Sequence, residues 1–127
     1  MSYGFSKTVN LSYDRAVERV TEELKKEGFG VLTTIDVRDT LKKKLNIDFK
    51  RYVILGACNP PFAHLALEAE EEIGLLLPCN VVVYEKGEGA VVSAFDPMAM
   101  LQIVDNPGVR SIAAEVQERL KRVIEQT

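Results

Sequence analysis

The sequence has one histidine, two cysteines and no apolar stretch near the roughly 18 residues that would suggest a membrane span. With His64 alone, any metal site must be built on it or do without it. Two cysteines without metal-ligand spacing make a weak zinc signal, so no metal site is expected. The absence of C-x-x-C removes the support for thioredoxin-like redox chemistry. There is no G-x-G-x-x-G, no G-x-x-x-x-G-K-S/T, no G-x-S-x-G and no H-E-x-x-H, so no short motif announces a nucleotide, hydrolase or metalloprotease site. Gly28-Phe29-Gly30 and Gly87-Glu88-Gly89 are too short for a phosphate cradle and read as turns. Basic charge is also short: 16 Lys and Arg stand against 19 Asp and Glu, a formal net charge of -3. That balance speaks against general affinity for nucleic acid or anionic membranes. Met1 to Leu11 lacks a basic segment followed by an apolar core, so no secretory leader is expected. The two cysteines then read as free thiols in a reducing cytoplasm.

What is present is a chain rich enough to fold without staples. Of its 127 residues, 46% are hydrophobic, and a domain of this size buries roughly two thirds of its unfolded surface. No repeat or low-complexity linker divides it, so residues 1–127 read as one domain.

Tyr3, Phe5, Lys7 and Val9 alternate with polar residues as in a half-buried first strand. Ser12 is an N-cap, and Tyr13, Ala16, Val17, Val20 and Leu24 recur on one helical face, with Glu22 and Glu23 in the polar remainder. Gly28 fits the C′ position that ends this helix. Val31, Thr33, Ile35 and Val37 alternate along a second strand. Asp39–Leu45 reads as a short surface helix and 46–48 as a turn. Tyr52–Cys58 is continuously apolar, the mark of a strand buried on both faces, and Gly56 within it marks a bulge or a close backbone approach. A helix follows with Phe62, Ala66, Ala69 and Ile73 inward. Val81–Glu85 and Ala90–Phe95 form a hairpin closed by Lys86-Gly87-Glu88-Gly89. Asp96-Pro97 starts a short helix. Asn106-Pro107 starts the last one, whose inward positions are Val109, Ile112, Val116, Leu120 and Val123 or Ile124. The order β-α-β-β-α-β-β-α, with the minor helix after the second strand, predicts an α+β domain with a mostly antiparallel sheet and helices on one face. Apolar residues on both sides of the third and fourth strands predict that the other face is covered, by a second subunit.

Two segments stand out chemically: Gly56-Ala57-Cys58-Asn59-Pro60-Pro61 and Leu76-Leu77-Pro78-Cys79-Asn80-Val81. In each a cysteine is followed by asparagine where an apolar run meets a turn. If the third and fourth strands are neighbours, both cysteines fall at the same end of the sheet. Cys58 precedes a helix N-terminus, where a thiolate can be stabilised and its pKa lowered, which makes it the candidate nucleophile; otherwise both thiols are small buried core groups. Three helices start with Asn-Pro or Asp-Pro (59–60, 96–97, 106–107), which gives Asn59 a capping role besides any ligand contact. Asn80 is either a turn former or a ligand contact. His64 falls ~200° from Phe62 and one turn from Glu68, so it is expected to be exposed beside an acid. Lys42-Lys43-Lys44 with Lys50 and Arg51 reads as a solvated face, with an anion- or RNA-contacting patch as the alternative. The acidic residues at 68 and 70–72 also read as a solvated face, and Met98 and Met100 as core or subunit contact.

On Gly56-Ala57-Cys58-Asn59-Pro60, Leu77-Pro78-Cys79-Asn80-Val81 and Asp96-Pro97, the chain resembles a bacterial and archaeal family described as domain of unknown function 302. The resemblance covers nearly the whole chain. It implies a curved sheet under two main helices, as in the TATA-box-binding-protein-like class, and homodimers. It implies no established activity, and fold likeness to a DNA binder is not itself a sign of DNA binding. Cys58, Asn59, Cys79 and Asn80 are therefore expected to form a small-ligand site, with no cofactor identifiable. The alternatives are a cysteine-dependent enzyme or redox or soft-metal-handling protein using Cys58, and a structural or partner-binding dimer without chemistry.

Overall fold

The computed structural model describes residues 2–127. In chain order it contains β1 (Gly4–Val9), α1 (Tyr13–Lys26), β2 (Gly30–Asp36), α2 (Val37–Leu45), β3 (Tyr52–Cys58), α3 (Pro60–Ala69), β4 (Cys79–Lys86), β5 (Gly89–Phe95) and α4 (Pro107–Gln126), with 3-10 segments at Glu71–Leu76 and Pro97–Gln102. The strands form one sheet in the order β1-β5-β4-β3-β2, and every pairing is antiparallel. This is the α+β arrangement that the periodicity predicts.

Because β1 and β2 are the two edges, α1 must carry the chain across the whole sheet. Ser12 starts it by accepting a bond from Arg15 N at 3.2 Å. Ala16, Val20 and Leu24 are fully buried along its inner face. Gly28, at φ 89°, stops it in a left-handed conformation that a side chain would strain. Gly28 N donates to Lys25 O and Phe29 N to Leu24 O, and the buried Phe29 and Leu24 share the core. Glu23 departs from its expected place on the polar face. It is buried at the margin of the apolar stripe, beside Ala16, where Arg19 and Lys26 bond its carboxylate at 3.4 and 2.8 Å. Those bonds, the Lys26 one foremost, hold its carboxyl below the ordinary range against the opposing effect of burial.

The main core lies between this helix, α4 and one face of the sheet. Alternation puts Val53, Leu55 and Ala57 of β3, Val81 and Val83 of β4, and Ala90, Val92 and Ala94 of β5 into it. A second, smaller core gathers Ala66, Ile73, Met100, Val109 and Ala113 under α3, the 3-10 segments and the start of α4. Met100 is thus core, with Met98 packed beside it.

Several boundaries differ from the periodicity. α2 begins at Val37, because Asp36 accepts from Asp39 N at 2.9 Å and caps it. α3 ends at Ala69, which is exposed, and a 3-10 turn brings Ile73 inward. In β2 the register shifts between Val31 and Thr33, so Val31 joins the core while Thr33 and Ile35 pair on the opposite face. β4 starts at Cys79, so Asn80 is a strand residue paired with Gly56 rather than part of a turn.

Gly56 is a position of close approach, and the bulge belongs to β2. A Cβ there would overlap Thr33 Oγ1 and lie 2.9 Å from Pro78 Cγ. Gly56→Ala is expected to lower stability by about 1–3 kcal/mol, as overpacking does. Urea unfolding checks this, and an unchanged midpoint would show that the neighbours yield freely.

Candidate functional site

The two cysteines meet where the central strands end beside α3. Ala57 is paired with Cys79 across β3 and β4, which leaves Cys58 one residue from the pair. Both thiols are free; Cys79 is buried and Cys58 half-buried. They stand in the wall of a half-open cavity of about 370 Å³. The cavity is a gap between the two cores: Phe29, Ala57 and Val116 come from the first, and Ala66, Met100 and Ala113 from the second. Leu32 and Leu67, both well exposed, lie at its rim. Its walls are almost wholly apolar; Thr33, Cys58, Asn59 and Cys79 are the lining residues of polar type, and none of the described lining residues is charged. The volume falls within the range typical of small-molecule sites.

Asn59 is held differently from the other two Asx-Pro helix starts. Asp96 accepts from Met98 N, and Asn106 Oδ1 from Gly108 N, each at 2.9 Å, as caps do. Asn59 occupies the N-cap position of α3 but makes no capping bond with its side chain. Its Nδ2 donates instead to the Glu27 carbonyl at the end of α1, at 3.2 Å. Arg119 Nη1 donates to the same carbonyl at 3.0 Å. The Arg119 guanidinium also lies 5.0 Å over the Phe62 ring and bonds Glu115. Arg122 holds the Glu27 carboxylate at 3.0–3.2 Å. A helix C-terminus, where carbonyls point outward without partners, attracts these donors. The capping expectation for Asn59 is corrected accordingly: its amide ties α1 to α3.

Asn80 does not join the other three. Side chains alternate along a strand, so with Cys79 and Val81 facing the helices, Asn80 faces the opposite side of the sheet. There it lines a separate groove of about 500 Å³ with Tyr52, Val82, Tyr84 and Ser93. The aromatic faces in that region are already taken. Tyr52 and Tyr84 stack at 5.3 Å, Phe49 lies 6.3 Å from Tyr52, and Lys50 sits 5.1 Å over Tyr84.

The remaining candidates have local partners. His64 is exposed and 3.0 Å from Glu68. Lys42 pairs with Asp48 and Lys43 with Asp39. Arg51 pairs with Glu85 and Asp14 and lies over Tyr13. Among the described residues, no three His, Cys, Asp or Glu side chains are grouped to hold a metal ion. Nor is any helix among the described residues long and apolar enough to cross a membrane.

The environment acts on the thiols opposite to the expectation from helix position. Burial raises the Cys58 pKa. Burial, reinforced by the neighbouring Cys58, pushes Cys79 up to about 11. Burial is the cause, and α3 offers little to oppose it, since Pro60 and Pro61 fill its first two positions and lack N–H groups that could stabilise a thiolate. Both thiols stay protonated through neutral pH, and ionisation is gained only as pH rises above the ordinary thiol value. Iodoacetamide at pH 7.5 should therefore modify Cys58 more slowly than free cysteine and leave Cys79 intact until the protein unfolds. Mass spectrometry over a pH series reads this directly; rapid labelling of Cys58 below pH 7 would contradict it.

The family model for domain of unknown function DUF302 matches residues 5–127. The crystal structure of an uncharacterized conserved DUF302 protein from Bacillus stearothermophilus is 31% identical, with 99% of this chain and 98% of that one covered and a TM-score of 0.91. No curated protein matches the chain. With the family model and a solved fold agreeing over nearly its full length, this chain belongs to the DUF302 family.

Proposed function

We propose that this protein is a small homodimeric, cytoplasmic binding protein that holds a small apolar molecule in the cavity beside Cys58, Asn59 and Cys79. The observation that carries the reading is the cavity itself. Protein interiors are close-packed, with few voids larger than a water molecule. Here the gap between two cores is kept open by short side chains, with Ala57, Ala63, Ala66 and Ala113 in its wall. Larger apolar residues at those positions would fill it and add packing. The neutral thiols serve as polarizable wall rather than as nucleophiles, which favours binding over cysteine catalysis. Asn80, on the opposite face, has no part in this site.

A second observation favours the dimer. The sheet face away from α1 and α4 carries Ile35, Ile54, Val82 and Tyr84. A solvated antiparallel face would alternate to polar side chains there. α2 beside it buries none of its residues, and Ile47 and Phe49 just after it are exposed. A second copy placed on this face removes that apolar surface from water.

Ala63→Trp should occlude the cavity from α3, where Ala63 is only half-buried. N-phenylnaphthylamine, a neutral probe, should brighten on binding the wild-type protein and lose at least about tenfold in affinity on the variant. Equal fluorescence titrations would remove the cavity from consideration. In size-exclusion chromatography with light scattering, the wild-type protein should run as a dimer and Val82→Glu as a monomer. A monomeric wild-type protein would overturn the second-copy assignment.

A further inference from the structure

Resting on the cavity reading above, we infer that the ligand is an uncharged apolar molecule carrying one hydrogen-bond donor, of the alcohol or phenol class, with its donor given to Asn59 Oδ1. Asn59 is more than nine-tenths buried and lines the cavity. Its amide orientation is decided by chemistry, because the Glu27 carbonyl 3.2 Å away can only accept and must face Nδ2. The Oδ1 end accepts no hydrogen bond from any described residue. Yet no side-chain oxygen or nitrogen among the described residues is both sealed from solvent and unpartnered. Oδ1 therefore keeps accessible surface, and the inference places that surface toward the cavity which its residue lines. An acceptor in an otherwise apolar wall selects for a donor, since an apolar ligand covering it would leave it desolvated and unpaired.

The same wall selects against an anion. The cation close to Asn59 is Arg119, whose guanidinium is spent on the Glu27 carbonyl, Glu115 and the face of Phe62. No charged side chain lines the cavity, so a carboxylate entering it would lose its hydration without an ion-pair partner. Thr33, Cys58 and Cys79, the other polar side chains of the wall, are neutral. The thiols remain protonated at neutral pH.

Three probes of one size class test this by calorimetric or fluorescence titration at pH 7.5: naphthol, naphthalene and naphthoate. Naphthol is expected to bind about five- to tenfold more tightly than naphthalene, the worth of one buried hydrogen bond, and naphthoate most weakly. Asn59→Leu removes the acceptor and should reverse the first preference, so that naphthalene becomes the tighter ligand. If that variant fails to fold for want of the Glu27 tie, the wild-type ranking still decides, joined by the shift of the Asn59 side-chain amide resonances on adding naphthol but not naphthalene. Naphthalene binding as tightly as naphthol, or naphthoate binding tightest, overturns the ligand class while leaving the cavity as a binding site. Binding of none of the three overturns the cavity reading and the ligand class with it.

Discussion

α1 has to carry the chain from one edge of the sheet to the other, and the rest of the molecule is arranged around that crossing. α1 leaves β1 at one edge and delivers the chain to β2 at the other, so it must span four inter-strand intervals. At about 4.8 Å each these make about 19 Å. Because β1 and β2 run parallel, the chain must also return along the strands, which the fourteen residues of α1, about 21 Å long at 1.5 Å rise, and the loops at its two ends accomplish together. Gly28 reverses the backbone at the end of α1 and turns Phe29 into the core. The Glu27 carbonyl, left at the helix end, becomes the meeting point of α1, α3 and α4 through Asn59 and Arg119. A local stop signal in the first helix thereby sets the place of a side chain in the candidate site.

The cavity follows from having two cores instead of one. The large core is organised by the sheet, whose alternating side chains meet α1 and the second half of α4. The small core is organised by α3, the 3-10 segments and the first half of α4. α4 belongs to both, with Val109 and Ala113 in one and Val116 to Ile124 in the other, and Ile112 touching each. Between them the facing residues are mostly apolar, four of them alanines, with a few neutral polar groups. The site therefore has shape and polarizability but little charge, and its thiols are desolvated rather than activated. Position at a helix start did not lower the Cys58 pKa, because burial raises it and the two prolines at the start of α3 offer no N–H donors to oppose that effect.

Much of the fold was legible from local rules. Ser12, Gly28, Asp96 and Asn106 act as stop and start signals within a turn of themselves, and their chemistry needs no distant partner. The inward faces of α1 and α4 follow from a period of 3.6 residues, and β3 and β5 from continuous apolar runs. Glu23 was misread because it is polar and sits at the margin of the apolar stripe, where its burial depends on the tertiary packing of α1. Val31 and Thr33 were grouped together because a bulge, which depends on the partner strand, breaks the period of two. The site was legible in part. Adjacency of β3 and β4 brings Cys58 and Cys79 to one sheet end, and that much follows from strand order. Asn80 was separated from Cys79 by strand parity once β4 began two residues earlier than the apolar run indicates.

The sequence by itself determined the element types, their order, the α+β class and the two cysteine segments as the place to look, because each depends on neighbours within a few residues. Its expectation of an activated thiol at Cys58 was reversed, because burial, which no local signal encodes, raises the pKa of that thiol. Tertiary structure alone decided which of those residues share a wall. Glu27 and Asn59 are 32 positions apart, and Glu27 and Arg119 are 92 apart. No local propensity encodes such a meeting; it arises only when α1 has crossed the sheet and α4 has packed beside it. The cavity is likewise a property of the space between two cores, made by side chains that are too small where the packing of distant elements would have room for more.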